Sequence, residues 1–520
     1  MFGGMRRLLP AAAAAVLCAL TAAPAQAAAP PARAATPASP ARAAHASPAR
    51  PAHVPPVLAA QAPSARRPAE GDPHPLVPAG LTSREVAFRG SGALPMRGTV
   101  VLPAAPAPGR PGMVLVHGAG TGTPREKLMT EAVEFARRGI AVLVYDKRSA
   151  GYSLFRRSYA QLAGDALGAV AALRAQPGVN PAKVGIWGLS EGGWVAPMAA
   201  ARSADIAFVV VVGANGLPPL RQQAWAVAAG LRRVGVSGSL VDRAEPALYR
   251  AIADGGLFPE PHHDPVPTLA ALRQPLLGIW GNADLLTPPE ESPPIFARAL
   301  ERGGNRHYAL HFFPDAEHAA HVTPDGGVTR APELAPGYAD LVGSWVRDVV
   351  AGRPPVARVE GPAPVQASHT RPTPPSAWWE SAPMQVAALA LFAAAFAGYP
   401  LAAAARRLRG RAGAPATRAA RLVSAGGLTV VTAGFGYLMY VVMTGGKLAA
   451  PGPLLAGRPV IWLALQALAV AVGVAAVLTV LALRRRRAAL PRGERVRAGL
   501  VAVAGLVFIP WAAYWGLLLP

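Results

Sequence analysis

The chain has 520 residues, of which 52% are hydrophobic and only 15% charged, and its formal net charge is +23. Much of the excess arginine lies beside hydrophobic runs, as in Arg484–Arg487. Membrane topology explains arginine in that position better than phosphate binding does, so we predict no nucleic-acid partner. The single cysteine, Cys18, lies in the N-terminal apolar run. It excludes a disulfide framework, a thiolate metal site and a cysteine nucleophile in the mature chain.

The first residues have the pattern of a secretory signal. Met1–Ala27 begins with the basic pair Arg6 and Arg7, continues with an apolar run and ends in Ala25-Gln26-Ala27. This pattern predicts cleavage before Ala28, with an uncleaved membrane anchor as the alternative. Residues 28–80 are rich in Ala, Pro and Arg without apolar periodicity, and we expect a disordered spacer there.

Short buried strands alternate with helical segments between residues 81 and 352, which we take as one domain. The predicted strands are Glu85–Arg89, Met96–Leu102, Met113–His117, Ile140–Tyr145, Val184–Trp187, Ile206–Val212, Leu276–Trp280 and Tyr308–Phe313. The predicted helices are Glu126–Arg138, Tyr159–Arg174, Gly192–Ala201, Gln222–Ala253 and Tyr338–Val350. The alternation predicts an α/β domain with a mainly parallel sheet and helices on both faces.

A nucleophile motif follows one of these strands directly. Gly188-Leu189-Ser190-Glu191-Gly192 matches G-x-S-x-G and stands between a predicted strand and a predicted helix, which is the context that the motif requires. Glycines at the flanking positions allow a tight, strained turn that exposes the serine hydroxyl. The alternative is an ordinary glycine-rich turn with a capping serine. We predict that Ser190 is a catalytic nucleophile.

An acid and a base follow later strands in the order that a serine nucleophile of this kind needs. Asp284 lies on the loop after one strand and can orient a histidine, and His318 lies after the last strand and can accept the serine proton. Asp264 precedes its strand and Asp315 is too near the histidine in sequence, so both are weaker candidates. His321 is the competing base. The chain order Ser, Asp, His is that of α/β-hydrolases.

The loop His117-Gly118-Ala119-Gly120 follows the strand Met113–His117 and could supply an oxyanion donor. We predict that the backbone N–H groups of Ala119 and Glu191 form the oxyanion hole. We expect His117 itself to be structural. The sequence has no metal-binding constellation, phosphate loop or dinucleotide fingerprint, so we predict neither a metal nor another cofactor.

These motifs together resemble a known family. The loop at His117-Gly118, Tyr145-Asp146-Lys147-Arg148, the turn Gly188–Gly193 and the loops of Asp284 and His318 are similar to those of bacterial α/β-hydrolases. The similar branch includes dienelactone-hydrolase-like esterases and prolyl-oligopeptidase-related hydrolases. The resemblance covers residues 81–352 and implies the α/β-hydrolase fold and cleavage of carboxylic esters, or in some members of amides or thioesters.

A small cap is expected over the site at residues 222–258. Its apolar side chains Trp225, Leu231, Val234 and Leu240 could line a substrate pocket. They could equally be packing residues, and the sequence leaves both interpretations open.

The sequence predicts a membrane region in the C-terminal part of the chain. Residues 353–383 form a Pro-rich linker, and four hydrophobic runs follow within residues 384–520, each long enough to span a bilayer. The runs are about 384–405, 422–444, 460–483 and 498–519. They predict an all-α region of four transmembrane helices.

The loops between the four runs predict the orientation of the chain. Arginine is dense in residues 406–421 and 484–497, whereas residues 445–459 hold only Lys447 and Arg458 as basic residues. The dense loops belong on the cytoplasmic side, so the hydrolase domain is expected outside, in agreement with the signal sequence.

We therefore expect a membrane-anchored extracytoplasmic serine hydrolase that cleaves a small-molecule or lipid acyl ester. The alternatives are an acyltransferase, a thioesterase or a peptidase with the same triad, or a non-catalytic membrane sensor with a hydrolase-like domain.

Overall fold

The computed structural model describes residues 76–410, 417–444, 452–486, 488 and 490–518. The predicted signal sequence and all but the last five residues of the predicted spacer lie outside these residues. The described part contains an α/β domain followed by long apolar helices.

A nine-stranded sheet forms the centre of the α/β domain. Its strands in chain order are β1 Leu81–Arg89, β2 Pro95–Pro103, β3 Arg110–Val116, β4 Ala141–Tyr145, β5 Val179–Leu189, β6 Val209–Val212, β7 Leu276–Gly281, β8 Tyr308–Phe313 and β9 Arg358–Glu360. The spatial order is β1-β2-β4-β3-β5-β6-β7-β8-β9. Only the β1–β2 and β2–β4 pairs are antiparallel. This confirms the predicted mainly parallel sheet and brings the carboxyl ends of β3, β5, β6, β7 and β8 to one edge.

Helices cover both faces of the sheet, as predicted. They are α1 Met129–Arg137, α2 Tyr159–Arg174, α3 Gly192–Ala201, α4 Pro219–Arg233, α5 Glu245–Asp254, α6 Val266–Ala271, α7 Ser292–Arg302 and α8 Tyr338–Val350. Side chains of α2, α3 and α7 share one buried cluster with the sheet, and side chains of α1 and α8 share another. The central strands are buried on both sides, which explains runs such as the four valines of β6.

Among the described strands and α-helices of the α/β domain, three were not expected from the sequence. Strand β9 lies in the predicted Pro-rich linker and pairs in parallel with β8, so this part of the linker belongs to the sheet. Farther along the linker, Gln366 and Thr370 hydrogen-bond to the side chain of Glu291. Helices α6 and α7 were also missed, because proline occupies their first turns.

Four long helices follow, α9 Ala382–Leu408, α10 Arg418–Met443, α11 Val460–Arg486 and α12 Arg492–Tyr514. Each is long and apolar enough to cross a membrane. A π-helical stretch, Ala393–Ala397, interrupts α9. We call these four helices the bundle.

The cap helices α4 and α5 pack against the bundle. Leu231 and Leu240 belong to one buried cluster that also contains Phe396, Trp462 and Trp515. The indole of Trp462 donates a hydrogen bond to Ser239 Oγ at 3.1 Å. The side-chain amide of Gln466 donates to the same oxygen and to the carbonyl of Gly516, each at 3.0 Å. The cap is thus attached to one end of the bundle.

Candidate active site

The turn after β5 has the geometry of a nucleophile elbow. Ser190 has a positive φ of 57°, which non-glycine residues rarely adopt. Its N–H donates to the carbonyl of Val212 at 2.9 Å, which fixes the turn beside the end of β6. A Cβ on Gly188 would collide with the carbonyl of Gly192, and one on Gly192 would lie 2.5 Å from the carbonyl oxygen of Val116. Both positions therefore require glycine for close backbone approach.

Asp284 and His318 form a buried acid–base pair. Oδ2 of Asp284 lies 2.8 Å from Nδ1 of His318. The other carboxylate oxygen accepts hydrogen bonds from the N–H groups of Leu286 and Thr287, at 2.8 and 2.9 Å. The carboxylate is thus held by its own loop while it orients the imidazole.

His318 lies against the end of β6, next to the strand that leads to Ser190. A Cβ on Gly213 would lie 2.8 Å from Nδ1 and Cε1 of His318, so only glycine leaves room for the ring there. Nε2 of His318 is buried and makes no hydrogen bond within the described residues. The structure therefore pairs Asp284 with His318, but it shows no hydrogen bond from Ser190 to His318. Nε2 is the atom that would take the serine proton.

The competing candidates have other contacts. Both ring nitrogens of His321 are engaged, Nδ1 at 3.0 Å from the carbonyl of Ala331 and Nε2 at 3.3 Å from Glu131. Burial lowers the pKa of His321, but the hydrogen bond and the charge of Glu131 raise it more, so its net shift is upward. Asp264 is exposed and caps Val266 N–H.

The loop His117–Gly120 lies against the elbow. A Cβ on Gly118 would be 3.2 Å from the Cβ of Ser190. Burial lowers the pKa of His117 to about 4, so its ring is neutral and Nε2 donates to the carbonyl of Tyr145 at 2.8 Å. This agrees with the structural role expected for His117. In the part of the chain that the structure describes, the N–H groups of Ala119 and Glu191 donate no hydrogen bond, which leaves both available to a substrate oxygen.

The side chain of Glu191 belongs to a buried polar network that the sequence did not reveal. Its carboxylate forms an ion pair with Lys147, accepts from Tyr152 Oη at 2.9–3.0 Å and accepts from Arg157 at 2.8 Å. Burial lowers the pKa of Lys147, and the charge of Glu191 opposes this lowering. The one signal in the sequence that points to this network is the motif Tyr145–Arg148, which contains Lys147. We call Lys147, Tyr152, Arg157 and Glu191 the elbow network.

Arg148, the next residue, has a structural role. Its guanidinium is buried against Asp165, with Nη2 2.6 Å from Oδ1, and donates to the carbonyl of Ser91 at 2.9 Å. Asp165 also accepts from Ser91 N–H at 2.8 Å. The pair ties the β1–β2 connection to α2.

Three of the four cap residues considered for the pocket are packing residues in this structure. Leu231 and Leu240 are buried against the bundle. Trp225 packs in a small separate cluster with Ala226 and Ala229, and Val234 is 37% exposed. None of these contacts includes Ser190, Asp284 or His318.

The mainly parallel sheet, the serine elbow and the buried Asp284–His318 pair on the loops after β7 and β8 have the arrangement of an α/β-type hydrolase. Residues 127–330, which include all three side chains, match the model of the prolyl oligopeptidase family. This region is thus similar to serine hydrolases of that family, in agreement with the resemblance seen in the sequence.

Individual relatives match parts of the chain. A thiohydrolase, aneE, of Aspergillus aculeatus is 32% identical over 136 residues, which cover 25% of this chain and 41% of that protein. The 2,6-dihydroxy-pseudo-oxynicotine hydrolase structure is 17% identical, with coverage of 54% of this chain and 72% of that chain and a TM-score of 0.39. The dienelactone hydrolase of Anabaena variabilis is 20% identical, with coverage of 53% and 99% and a TM-score of 0.32. The chain matches about two-fifths of the length of its curated relative.

Proposed function

We propose that this protein is a membrane-anchored extracytoplasmic serine hydrolase that cleaves carboxylic esters through an acyl-enzyme. The observation that carries the proposal is the buried Asp284–His318 pair, 2.8 Å apart, at the sheet edge where the Ser190 elbow lies. Ser190 is the nucleophile, His318 the general base and acid, and Asp284 the residue that orients the histidine.

The reaction follows from these positions. Nε2 of His318 takes the Ser190 proton as Oγ attacks the ester carbonyl, and Asp284 stabilises the imidazolium that forms. The tetrahedral intermediate collapses with loss of the alcohol, which receives the proton from His318. Water then attacks the acyl-enzyme by the same route in reverse and releases the carboxylic acid.

The oxyanion hole is assigned to two N–H groups on either side of the nucleophile. Glu191 N–H lies at the start of α3, where the helix dipole also favours negative charge. Ala119 N–H lies on the loop whose Gly118 approaches Ser190. Each such donor typically contributes about 3–4 kcal/mol to stabilisation of the transition state.

Thioester cleavage is a second candidate, because the curated relative is described as a thiohydrolase. The same triad serves both leaving groups, since the acyl-enzyme is identical and only the departing atom differs. The match to the prolyl oligopeptidase family makes an amide substrate a further alternative.

The placement on the membrane rests on the bundle. The hydrolase domain contacts the end of the bundle that carries Gly516 and the turn at Gly457, whose carbonyl accepts from Ser237 N–H. Arginines lie at the opposite ends of these helices, Arg406 and Arg407 in the last turn of α9 and Arg484–Arg486 in the last turn of α11. Basic segments favour the cytoplasmic side, so the hydrolase domain belongs on the other side. A membrane-impermeant serine probe should then reach Ser190 from outside.

The substrate class is tested by comparing matched leaving groups. The purified full chain is assayed with p-nitrophenyl esters of increasing chain length, the corresponding thioesters and peptide p-nitroanilides, alongside Ser190→Ala and Ser344→Ala. Ser344 lies exposed on α8 and serves as the matched control. We expect the highest kcat/KM for esters and loss of all turnover in Ser190→Ala only. A preference for peptide anilides, or turnover that persists in Ser190→Ala, would contradict the proposal.

A further inference from the structure

The buried lysine of the elbow network, Lys147, contacts the peptide group between Gly118 and Ala119. Nζ of Lys147 donates to the carbonyl of Gly118 at 2.6 Å, to Tyr152 Oη at 3.3 Å and to the carboxylate of Glu191. An ammonium group has three N–H donors, and all three are used here. Its side chain is only 4% exposed. Lys147 is therefore a fixed structural cation rather than a free base.

The contact with Gly118 determines where Ala119 N–H points. The described residues contain no cis peptide, and in a trans peptide the C=O and the following N–H point in opposite directions. The Gly118 carbonyl is turned towards Lys147, so the N–H of Ala119 is turned away from it. Gly118 itself lies against Ser190.

Tyr152 reinforces the same loop from a second point. Its hydroxyl accepts a hydrogen bond from Gly120 N–H at 3.3 Å and donates to the carboxylate of Glu191. The peptides on both sides of Ala119 are therefore held by side chains of one network. Lys147 and Tyr152 both donate to the carboxylate of Glu191. Glu191 also supplies the other N–H assigned to the oxyanion hole.

We propose that Lys147, held by Glu191, is a positioning residue that directs the Ala119 N–H into the oxyanion hole. This inference rests on the proposed function, because an oxyanion hole matters only if Ser190 attacks a carbonyl. The ion pair couples the two donor peptides: one follows Ser190, and the other lies on the loop after β3. Lys147 is buried and acts through its hydrogen bond to the Gly118 carbonyl.

The test uses the full chain in detergent and the ester substrate. Lys147→Met removes all three donors but leaves the buried carboxylate of Glu191 with Arg157 as its one remaining cation among the described residues, which can destabilise the domain. The double variant Lys147→Met with Glu191→Gln also removes the negative charge of the carboxylate. It keeps the backbone N–H at position 191. Arg157→Met is the matched control, because it also removes a cation beside Glu191 but does not touch the loop 117–120.

The readouts separate positioning from general damage. In the double variant we expect a folded protein with a cooperative unfolding transition, a KM close to that of the wild type and a kcat lowered about 100-fold or more, the effect of losing one oxyanion donor. Binding of a trifluoromethyl ketone, which forms an oxyanion on Ser190, should weaken in the same proportion. Arg157→Met should lose much less of both.

Three outcomes would overturn the inference. Ser190-dependent turnover with wild-type kcat in a folded double variant would overturn the inference alone, and so would an equal loss of kcat in Arg157→Met. Turnover that survives in Ser190→Ala would overturn the proposed function together with this inference.

Discussion

Replacing Asp284 by Asn should lower kcat about 10⁴-fold with little change in KM, the size of effect seen when the acid of a serine triad becomes an amide. The carboxylate accepts the Nδ1–H of His318 and so keeps Nε2 free as the base. An amide can present its NH₂ group to Nδ1 instead, which favours the tautomer with a proton on Nε2. The measurement is kcat for the best ester substrate, with the unfolding temperature recorded on the same sample.

Asp264→Asn provides the matched control, since Asp264 is an exposed capping residue in the same part of the chain. It should keep kcat within a factor of about two, because exposed substitutions rarely affect a distant site. Equal losses in the two variants, or no loss in Asp284→Asn, would contradict the assignment of Asp284. Loss of the fold in Asp284→Asn would show as a lower unfolding temperature.

Removing the bundle should make the hydrolase domain aggregate. A chain that ends at Pro375 keeps β9 and the segment bonded to Glu291 but lacks α9–α12. The cap side chains Leu231 and Leu240 then lose the bundle side chains of their buried cluster, which include Trp462 and Trp515. An exposed apolar patch of this kind drives association in water. Size-exclusion chromatography with and without detergent measures the effect, and detergent should restore a monomer.

A matched truncation removes the other end of the chain. A protein that begins at Leu76 behind a substitute leader retains all the described elements, and it should behave as the full chain does in detergent. A truncated domain ending at Pro375 that is monomeric and fully active without detergent would contradict the structural dependence of the cap on the bundle.

The sequence predicted the fold and the three proposed catalytic side chains because those features have local signals. Glycines around Ser190 are required by backbone contacts within one turn, and Asp284 and His318 follow strands that alternate regularly with helices. The carboxyl ends of parallel strands meet at one edge of the sheet, so side chains far apart in sequence come together there. This rule alone is enough to predict their proximity.

The elbow network was not predicted, because its contacts connect residues with no periodic relation. Nothing in the sequence indicates that the Glu191 side chain turns into the domain towards Lys147 and Arg157. The sequence also does not decide whether the apolar cap residues line a pocket or pack against other helices. An apolar helix face looks the same whether a substrate or another helix covers it.

The sequence predicted some helices incorrectly where proline or arginine occupies the first turn. Helix α7 begins with Ser292-Pro293-Pro294, which resembles a loop, although proline is well tolerated in a first helical turn. The last long helix begins at Arg492, six residues before the hydrophobic run expected from Ala498. Arginine is a good helix former, and its charge can reach the membrane surface while its backbone stays helical.

The most direct test of the central claim is labelling with a membrane-impermeant fluorophosphonate on right-side-out and inverted membrane vesicles, with wild type, Ser190→Ala and Ser344→Ala. We predict labelling of wild type and Ser344→Ala in right-side-out vesicles only, with the adduct on the peptide that contains Ser190, and no labelling of Ser190→Ala. Labelling confined to inverted vesicles would contradict the proposed side of the membrane. Absence of labelling in folded wild type, on either side, would contradict the serine nucleophile itself.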